Sequence, residues 1–163
     1  METASLAGRP VIADDLPFVS RVWNDERVAP TIGGVRAEQQ LRDRMEQWTR
    51  HWNEHDFGTT LFQERTTRQP VAWGGLQHST IGIGTCLTVG YVVAPEFWRR
   101  GYATEIVNAS AALAFDVLGA SQLYASVAAT NAASRRVLEK AGLSVYSEID
   151  HEGHIEVIYV IAR

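Results

Sequence analysis

Hydrophobic and polar residues follow two different periods along the chain, and the change of period separates helical from extended segments. Over residues 36–55 the apolar side chains recur at helical spacing with charged residues between them, which predicts an amphipathic helix. Its apolar positions are Leu41, Met45, Trp48 and Trp52. A shorter helix is predicted after Asp14 or Asp15, with Pro17 in its first turn. From Phe57 onward the alternation has a period of two, which is typical of strands.

The predicted strands and helices define a fold class. Strands are predicted over residues 6–12, 59–64, 70–78, 86–93, 122–128, 143–150 and 155–162. The glycine-rich segment 79–85 is predicted to be a loop, and Gly74-Gly75 indicates a bulge or a close backbone contact. Further helices are predicted from Gly101 to about Leu118 and over residues 131–141. Short turns favour antiparallel pairing, while segment 86–128 predicts a right-handed parallel crossover. We therefore expect an α+β fold with a mixed, mostly antiparallel central sheet flanked by helices on both faces.

A strand, a basic turn and a helix N-terminus follow one another over residues 88–109. Pro95 ends the strand because proline cannot donate a ladder hydrogen bond. Gly101 can adopt backbone angles that other residues avoid and lets a ligand approach the main chain. The free N–H groups and the dipole of the following helix favour an anion such as phosphate. Many such turns bind nothing, so the pattern alone leaves a phosphate site and a plain turn as alternatives.

The turn has the sequence Trp98-Arg99-Arg100-Gly101-Tyr102-Ala103-Thr104-Glu105. This phrase resembles motif A of the GNAT N-acetyltransferases, especially their RimJ/RimL-type branch. That family binds the pyrophosphate of acetyl-CoA in this turn, and the acetyl carbonyl and pantetheine beside the preceding strand. The resemblance therefore implies an acetyl-CoA site built from Val92, Val93, Trp98, Arg99, Arg100, Gly101, Tyr102, Ala103 and Thr104.

A second phrase lies over residues 131–143 and resembles GNAT motif B, N-x-x-S-x-x-V-L-E-K-A-G-L. The resemblance implies that Asn131 bonds the pantetheine arm or a nearby main-chain group, and that Ser134 points toward the acetyl-CoA sulfur. Asn131 is equally suited to cap the helix. Other branches carry a tyrosine acid where this chain has Leu138. Ser134 is the expected substitute, and Tyr91 on the preceding strand is the second catalytic candidate.

The sequence does not single out one residue as the general base. Members of the branch often carry a glutamate where this chain has Thr88, ahead of Gly90-Tyr91. The remaining candidates, each of which is also suited to a plain surface role, are His78, Glu96, His151 and His154. His51 and His55 have the spacing of metal ligands on a helix, but without a third ligand in the sequence we predict no metal site.

Composition limits the functional class. Hydrophobic residues make up 45% of the chain and charged residues 21%, as in ordinary globular proteins. We expect one domain over residues 1–163, no membrane segment, no signal peptide and a cytoplasmic location. Cys86 is the only cysteine and is expected to be a buried small hydrophobe, not a disulfide partner. The net charge of −4 argues against a nucleic-acid partner and is compatible with a cationic substrate.

These features together predict an N-acetyltransferase that moves the acetyl group of acetyl-CoA to a primary amine by direct attack. The acceptor is a protein N-terminus or a small molecule, and the protein is a monomer or a homodimer. A bulge over residues 89–93 is expected to free N–H groups for the oxyanion. The alternative is a non-catalytic acyl-CoA-binding regulatory module. It is favoured by Thr88, where members of the branch often carry glutamate, and by Leu138, where other branches carry tyrosine.

Overall fold

The computed structural model describes the backbone of all 163 residues and every side chain except that of His151. The described backbone contains the strands β1 (Leu6–Pro10), β2 (Thr59–Glu64), β3 (Pro70–Ile81), β4 (Gly84–Val93), β5 (Gln122–Ala128), β6 (Ser144–His151) and β7 (His154–Ala162). They form one seven-stranded sheet in the order β1-β2-β3-β4-β5-β7-β6. The expected α+β class is confirmed, because every neighbouring pair except β4 with β5 is antiparallel.

Four helices cover the two faces of the sheet: α1 (Leu16–Trp23), α2 (Glu38–His55), α3 (Tyr102–Ala112) and α4 (Ala132–Lys140). The apolar stripe of α2 packs with α1 against Leu61 and Trp73 of the sheet. Residues of α3 and α4, among them Val107 and Leu138, pack with Val89 in a second core cluster. Among the described residues, no helix combines the length and apolar character that crossing a membrane requires.

The sheet opens between β4 and β5. Over the described backbone these parallel strands share a single register pair, Thr88 opposite Tyr124. Beyond Thr88 the strand β4 continues to Val93 against β3 alone. One edge of its backbone is therefore left without a strand partner, which creates a notch in the middle of the molecule.

Two predictions about local structure were wrong. Segment 79–85 is not a loop, because β3 and β4 continue into a tight hairpin that ends with Ile81 opposite Gly84. Here the ladder of main-chain hydrogen bonds outweighs the weak strand preference of glycine. The predicted bulge over residues 89–93 is also absent from the described β3–β4 register, which runs unshifted to Ala72 opposite Val93. The predicted helix from Gly101 to about Leu118 is confirmed in its extent: α3 runs to Ala112 and continues as a π-helical turn, Leu113–Val117.

Candidate active site

A cavity of about 1270 Å³ fills the notch between β4 and β5 and reaches both faces of the sheet. It brings together most of the predicted acetyl-CoA residues in its lining, namely Tyr91, Val92, Val93, Trp98, Arg99, Gly101, Tyr102, Ala103, Thr104, Asn131 and Ser134. Of the predicted site residues, Arg100 alone does not line it in the described structure. The notch therefore collects residues from both sequence motifs around one space.

The turn before α3 has the backbone geometry of an anion site. Gly101 precedes the helix with φ of +84°, in the left-handed region that favours glycine, and Arg99 also has a positive φ of 63°. A Cβ at Gly101 would meet nothing within 4 Å, so the constraint on this residue is conformational and not steric. The Gly101 carbonyl accepts the Glu105 N–H at 3.0 Å and closes the first helical turn. In the described structure no side chain caps the first N–H groups of α3, which leaves them available to a phosphate.

The two arginines of the turn have different surroundings. The Arg100 guanidinium lies 3.1 Å from Glu64 Oε1 on β2, and the Tyr102 hydroxyl donates to the same oxygen. The bond from Tyr102, with further bonds from Thr67 and Arg100, lowers the pKa of Glu64. Arg99 lines the cavity, and no ion pair to it is found among the described residues. Of the two arginines, Arg99 is therefore the one that borders the notch.

Trp98 connects the turn to the end of β4 through a hydrogen bond. Its indole N–H donates to the Val93 carbonyl at 2.7 Å, which satisfies one of the carbonyls that β5 leaves unpaired. The ring remains 46% exposed, and the Arg27 guanidinium lies over it at 5.9 Å. The indole thus both braces the turn and forms part of the cavity wall.

Tyr91 and Ser134 meet across the notch. The phenol oxygen lies 2.8 Å from Ser134 Oγ, and the hydroxyl of Tyr91 also reaches the Ser134 carbonyl at 3.3 Å. Burial raises the pKa of Tyr91 to about 12, so the phenol stays protonated at neutral pH and acts as a donor. Asn131 caps α4, since its Oδ1 accepts the Ser134 N–H at 3.1 Å. Sequence reasoning named these residues but missed the contact, because 43 positions separate Tyr91 from Ser134 and no local pattern links them.

The candidate bases are scattered. Glu96 pairs with Arg21 at 2.9 Å, and His78 lies on β3 outside the cavity lining. His154 at the start of β7 does line the cavity, whereas the side chain of His151 lies outside the described part of the chain. Of the described candidates, His154 is the one at the notch.

Two polar side chains at the notch were not predicted to act there. Glu156 on β7 lines the cavity and accepts a hydrogen bond from Ser126 of β5. Thr88, where the branch often has glutamate, donates to the Gln77 carbonyl and to Ser79 Oγ, each at 3.1 Å. No sequence signal singled out Glu156, because alternating strands carry many such residues. The hydroxyl of Thr88 supports the β3–β4 hairpin and cannot replace a carboxylate base.

The expectation that His51 and His55 lack a third partner was wrong, because β3 brings His78 beside them with candidate ligand atoms within 4.8 Å of one another. The ring of His51 is nevertheless engaged at both nitrogens. Its Nδ1–H donates to the Phe57 carbonyl at 2.9 Å, and its Nε2 accepts the His78 main-chain N–H at 3.0 Å. Burial lowers the pKa of His51, with smaller effects from the neighbouring histidines. His51 could bind a metal here only by giving up one of these two bonds, and none of these described rings lines the notch.

The sequence is similar to a known family and to two curated relatives. Residues 6–144 match the acetyltransferase (GNAT) domain family. YkkB, an uncharacterized protein of Bacillus subtilis (strain 168), is 26% identical over 132 residues, which cover 80% of this chain and 76% of YkkB. YoaA, an uncharacterized N-acetyltransferase of the same organism, is 41% identical over 54 residues, which span 33% of this chain and 30% of YoaA.

Solved structures share the whole architecture. An acetyltransferase from Agrobacterium tumefaciens str. C58 superposes with a TM-score of 0.87 at 20% identity, covering 100% of this chain and 94% of that one. The ribosomal-protein-S5-alanine acetyltransferase of Vibrio fischeri gives 0.78 at 15% identity, with 99% and 95% covered. The spermidine N-acetyltransferase of Vibrio cholerae, solved with CoA and spermine, gives 0.76 at 16% identity, with 98% and 96% covered. These structures establish the fold, and the family match runs from β1 to the start of β6: the chain belongs to the GNAT acetyltransferase family.

Proposed function

We propose that this protein, acting as one catalytic domain, transfers the acetyl group of acetyl-CoA to a primary amine by direct attack. The observation that carries the proposal is the Tyr91–Ser134 pair, which sets two hydroxyls 2.8 Å apart in the notch that also holds the Gly101 turn. The notch fits acetyl-CoA because uncapped helical N–H groups stand at one end of it and an unpaired strand edge runs along its side.

The residues have distinct parts in this proposal. The first turn of α3, with Arg99, holds the pyrophosphate, and the free edge of β4 holds the pantetheine arm. Bound acetyl-CoA supplies a thioester, whose carbonyl carbon gains a C–N bond as its C–S bond breaks. N–H groups on the free edge of β4 can donate to the oxygen that becomes negative during attack. Ser134, supported by the protonated Tyr91, donates a hydrogen bond to the departing sulfur, and His154 or water accepts the proton released by the amine.

The acceptor is proposed to be a primary amine on a protein N-terminus or on a small molecule. The two motif phrases support placement in the RimJ/RimL-type branch. The relatives that act on ribosomal protein S5 and on spermidine are only 15% and 16% identical, so their substrates do not choose between these classes.

The function can be tested by measuring thiol release from acetyl-CoA with a panel of amines, namely peptides with free N-termini, amino acids and polyamines. We expect thiol release that depends on the amine, together with an acetylated product seen by mass spectrometry. The matched control is Gly101→Asp, which should be inactive with every amine. Amine-independent hydrolysis alone would contradict the proposal.

The second candidate is a regulatory acyl-CoA-binding module. It is favoured by Thr88, where members of the RimJ/RimL-type branch often carry glutamate, and by Leu138, where other branches carry tyrosine. The same panel distinguishes it. Saturable CoA binding by calorimetry without turnover of any amine would support the module and exclude the enzyme.

A further inference from the structure

The cavity has an aromatic floor on the face of the sheet that α1 and α2 cover. Trp73 on β3 forms its centre, with Trp23 stacked nearly parallel at 6.3 Å and Trp48 at 6.5 Å between ring centroids. All three line the cavity yet are only 3% to 8% exposed, so their positions are fixed by the core. Val92 packs against this cluster, whereas Tyr91 packs against the clusters on the opposite face. An amine acceptor can therefore approach from the tryptophan side while the cofactor occupies the α3 and α4 side.

Two arginines lie beside Trp23, at the edge of this floor, and form no ion pair with the described side chains. Arg44 of α2 lines the main cavity and a smaller adjoining cavity of about 200 Å³, and Trp23 is shared by both. Arg36 lines the smaller cavity and is half-buried. No ion pair from either guanidinium to a carboxylate is found among the described side chains; the side chain of Arg36 bonds only the Val35 carbonyl, at 3.4 Å.

The position of Arg36 is built into the fold. The Asn24 side-chain amide donates to the Arg36 carbonyl at 3.0 Å, and its oxygen accepts the Arg36 N–H at 2.9 Å. The guanidinium lies over Gly33, where a Cβ would stand 3.2 Å from Nη2. The Trp23 indole N–H holds the same loop through the Gly34 carbonyl at 3.0 Å. A half-buried arginine whose main chain is held in this way, and whose guanidinium has no carboxylate partner among the described side chains, is suited to bind an anion.

The nearby acids do not neutralise this pair. Asp25 is engaged by Arg27 at 2.7 Å. Asp43 lines the smaller cavity and accepts a bond from Gln39 at 2.8 Å, so the lining of that cavity has two guanidinium groups and one carboxylate. Glu156 is the acid in the lining of the main cavity, and it lies on β7, where it accepts a bond from Ser126. The lining of the smaller cavity thus has one more cationic than acidic side chain, although the chain as a whole carries a net charge of −4.

We propose that the acceptor is an amine that also carries a carboxylate and an apolar body, such as an amino acid or short peptide, and that Arg36 and Arg44 bind the carboxylate where the two cavities join. The inference rests on the proposed acetyl transfer. A planar guanidinium pairs with a carboxylate through two parallel hydrogen bonds, and the tryptophan floor receives the apolar part. A polyamine would bring a second positive charge to the same arginines and is disfavoured.

The test compares each apolar amino acid and dipeptide with its carboxamide, which keeps the amine and the apolar body but removes the anion, and with spermidine. We expect higher kcat/KM for the carboxylates, even though the amine of the carboxamide is less basic and so is more often neutral. Arg44→Gln and Arg36→Gln should each raise KM for the carboxylate roughly tenfold and leave KM for the carboxamide unchanged. The matched control is Arg50→Gln, which removes an exposed charge from α2 outside both cavities.

A binding readout separates failure of this inference from failure of the acetyltransferase function. N-acetylphenylalanine, a product of the proposed class, should bind the CoA-saturated protein by calorimetry, and Arg44→Gln but not Arg50→Gln should weaken it. Equal use of acid and amide, a preference for spermidine, or equal effects of Arg44→Gln and Arg50→Gln would overturn the carboxylate site while leaving acetyl transfer intact. No turnover of any amine, with CoA still bound, would overturn the proposed function and this inference with it.

Discussion

At the scale of single residues, the backbone at Gly101 controls access to the proposed phosphate site. We predict that Gly101→Asp abolishes CoA binding measured by isothermal titration calorimetry. The φ of +84° is unfavourable for a side chain, and the carboxylate would stand beside the pyrophosphate. Gly101→Asn is the matched comparison, because asparagine tolerates left-handed angles and brings no charge, so it should retain measurable affinity. Near-normal affinity in a folded Gly101→Asp protein would remove this turn from the site.

The Tyr91–Ser134 contact makes a second prediction at this scale. Ser134→Ala should lower kcat by about 10- to 100-fold with CoA affinity nearly intact, because its hydroxyl matters when charge develops on sulfur. Tyr91→Phe should lower kcat less, since the phenol acts through Ser134. The double variant should be no slower than Ser134→Ala, because both changes remove one shared network. An unchanged kcat with a small loss of thermal stability would reduce Ser134 to a residue of the helix start.

At the scale of elements, the β3–β4 pair depends on a close approach at Gly74. A Cβ there would stand 2.5 Å from the Gly90 carbonyl oxygen and 2.8 Å from Tyr91 Cα. We predict that Gly74→Ala lowers the free energy of unfolding by roughly 1–3 kcal/mol, because backbone atoms of β4 must move. Urea denaturation measures the change. The control is Gly90→Ala in the opposite strand, where the methyl group meets nothing within 4 Å and should leave stability unaffected.

Elements with strong local signals could be predicted from the sequence. The spacing of apolar residues in α2 indicates a helix, and the alternating residues of β2 and β5 indicate strands of defined length. Both strands have the predicted bounds. The close contact inferred for Gly74-Gly75 is confirmed, although the alternative of a bulge opposite β4 is not. Local residue types gave the wrong prediction where the pairing of two strands decides the structure. Glycines at the β3–β4 hairpin suggested a loop, yet each strand there has the other as a partner.

The site was predictable in its parts but not in its arrangement. The turn at Gly101 and the helix cap at Asn131 are local features that their residue types reveal. The Tyr91–Ser134 contact joins distant positions through the tertiary fold, and so does the meeting of His78 with His51 and His55. The separation of β4 and β5 was expected from a bulge, whereas it arises because β5 leaves β4 after one register pair.

At the scale of the whole molecule, His51 links α2 to the sheet and makes stability depend on pH. Its ring donates to the loop at Phe57 and accepts the main-chain N–H of His78, an arrangement that needs the neutral imidazole. Burial lowers its pKa, and the nearby His55 and His78 add to the shift, while the bond to the Phe57 carbonyl and, to a smaller extent, Glu54 oppose it. Because the pKa of His51 is lower in the folded than in the unfolded state, the unfolded protein takes up the proton first as pH falls. The contribution of His51 to the free energy of unfolding is therefore complete above the unfolded pKa of about 6.5 and is lost as pH falls through the folded pKa.

We therefore predict that the free energy of unfolding falls as pH is lowered below about 6.5, and that His51→Gln makes this dependence shallower. Urea denaturation from pH 8 down to the acid limit of folding measures both proteins. His154→Gln, which changes an exposed histidine on β7, is the control and should follow the wild-type curve. Identical slopes for His51→Gln and the wild type would show that this ring does not control the response.

The single register pair between β4 and β5 also has a consequence for motion. Within the sheet, β1–β4 and β5–β7 are continuous ladders joined only at Thr88 and Tyr124 in the described backbone. Such an arrangement allows each ladder to open as its own unit, with its own hydrogen-exchange rate. CoA held by the Gly101 turn after β4 and by α4 after β5 would span the two units and make them open together. We expect CoA to slow amide exchange in β5–β7 as well as beside the turn, and protection confined to one unit would show that the ligand bridges nothing.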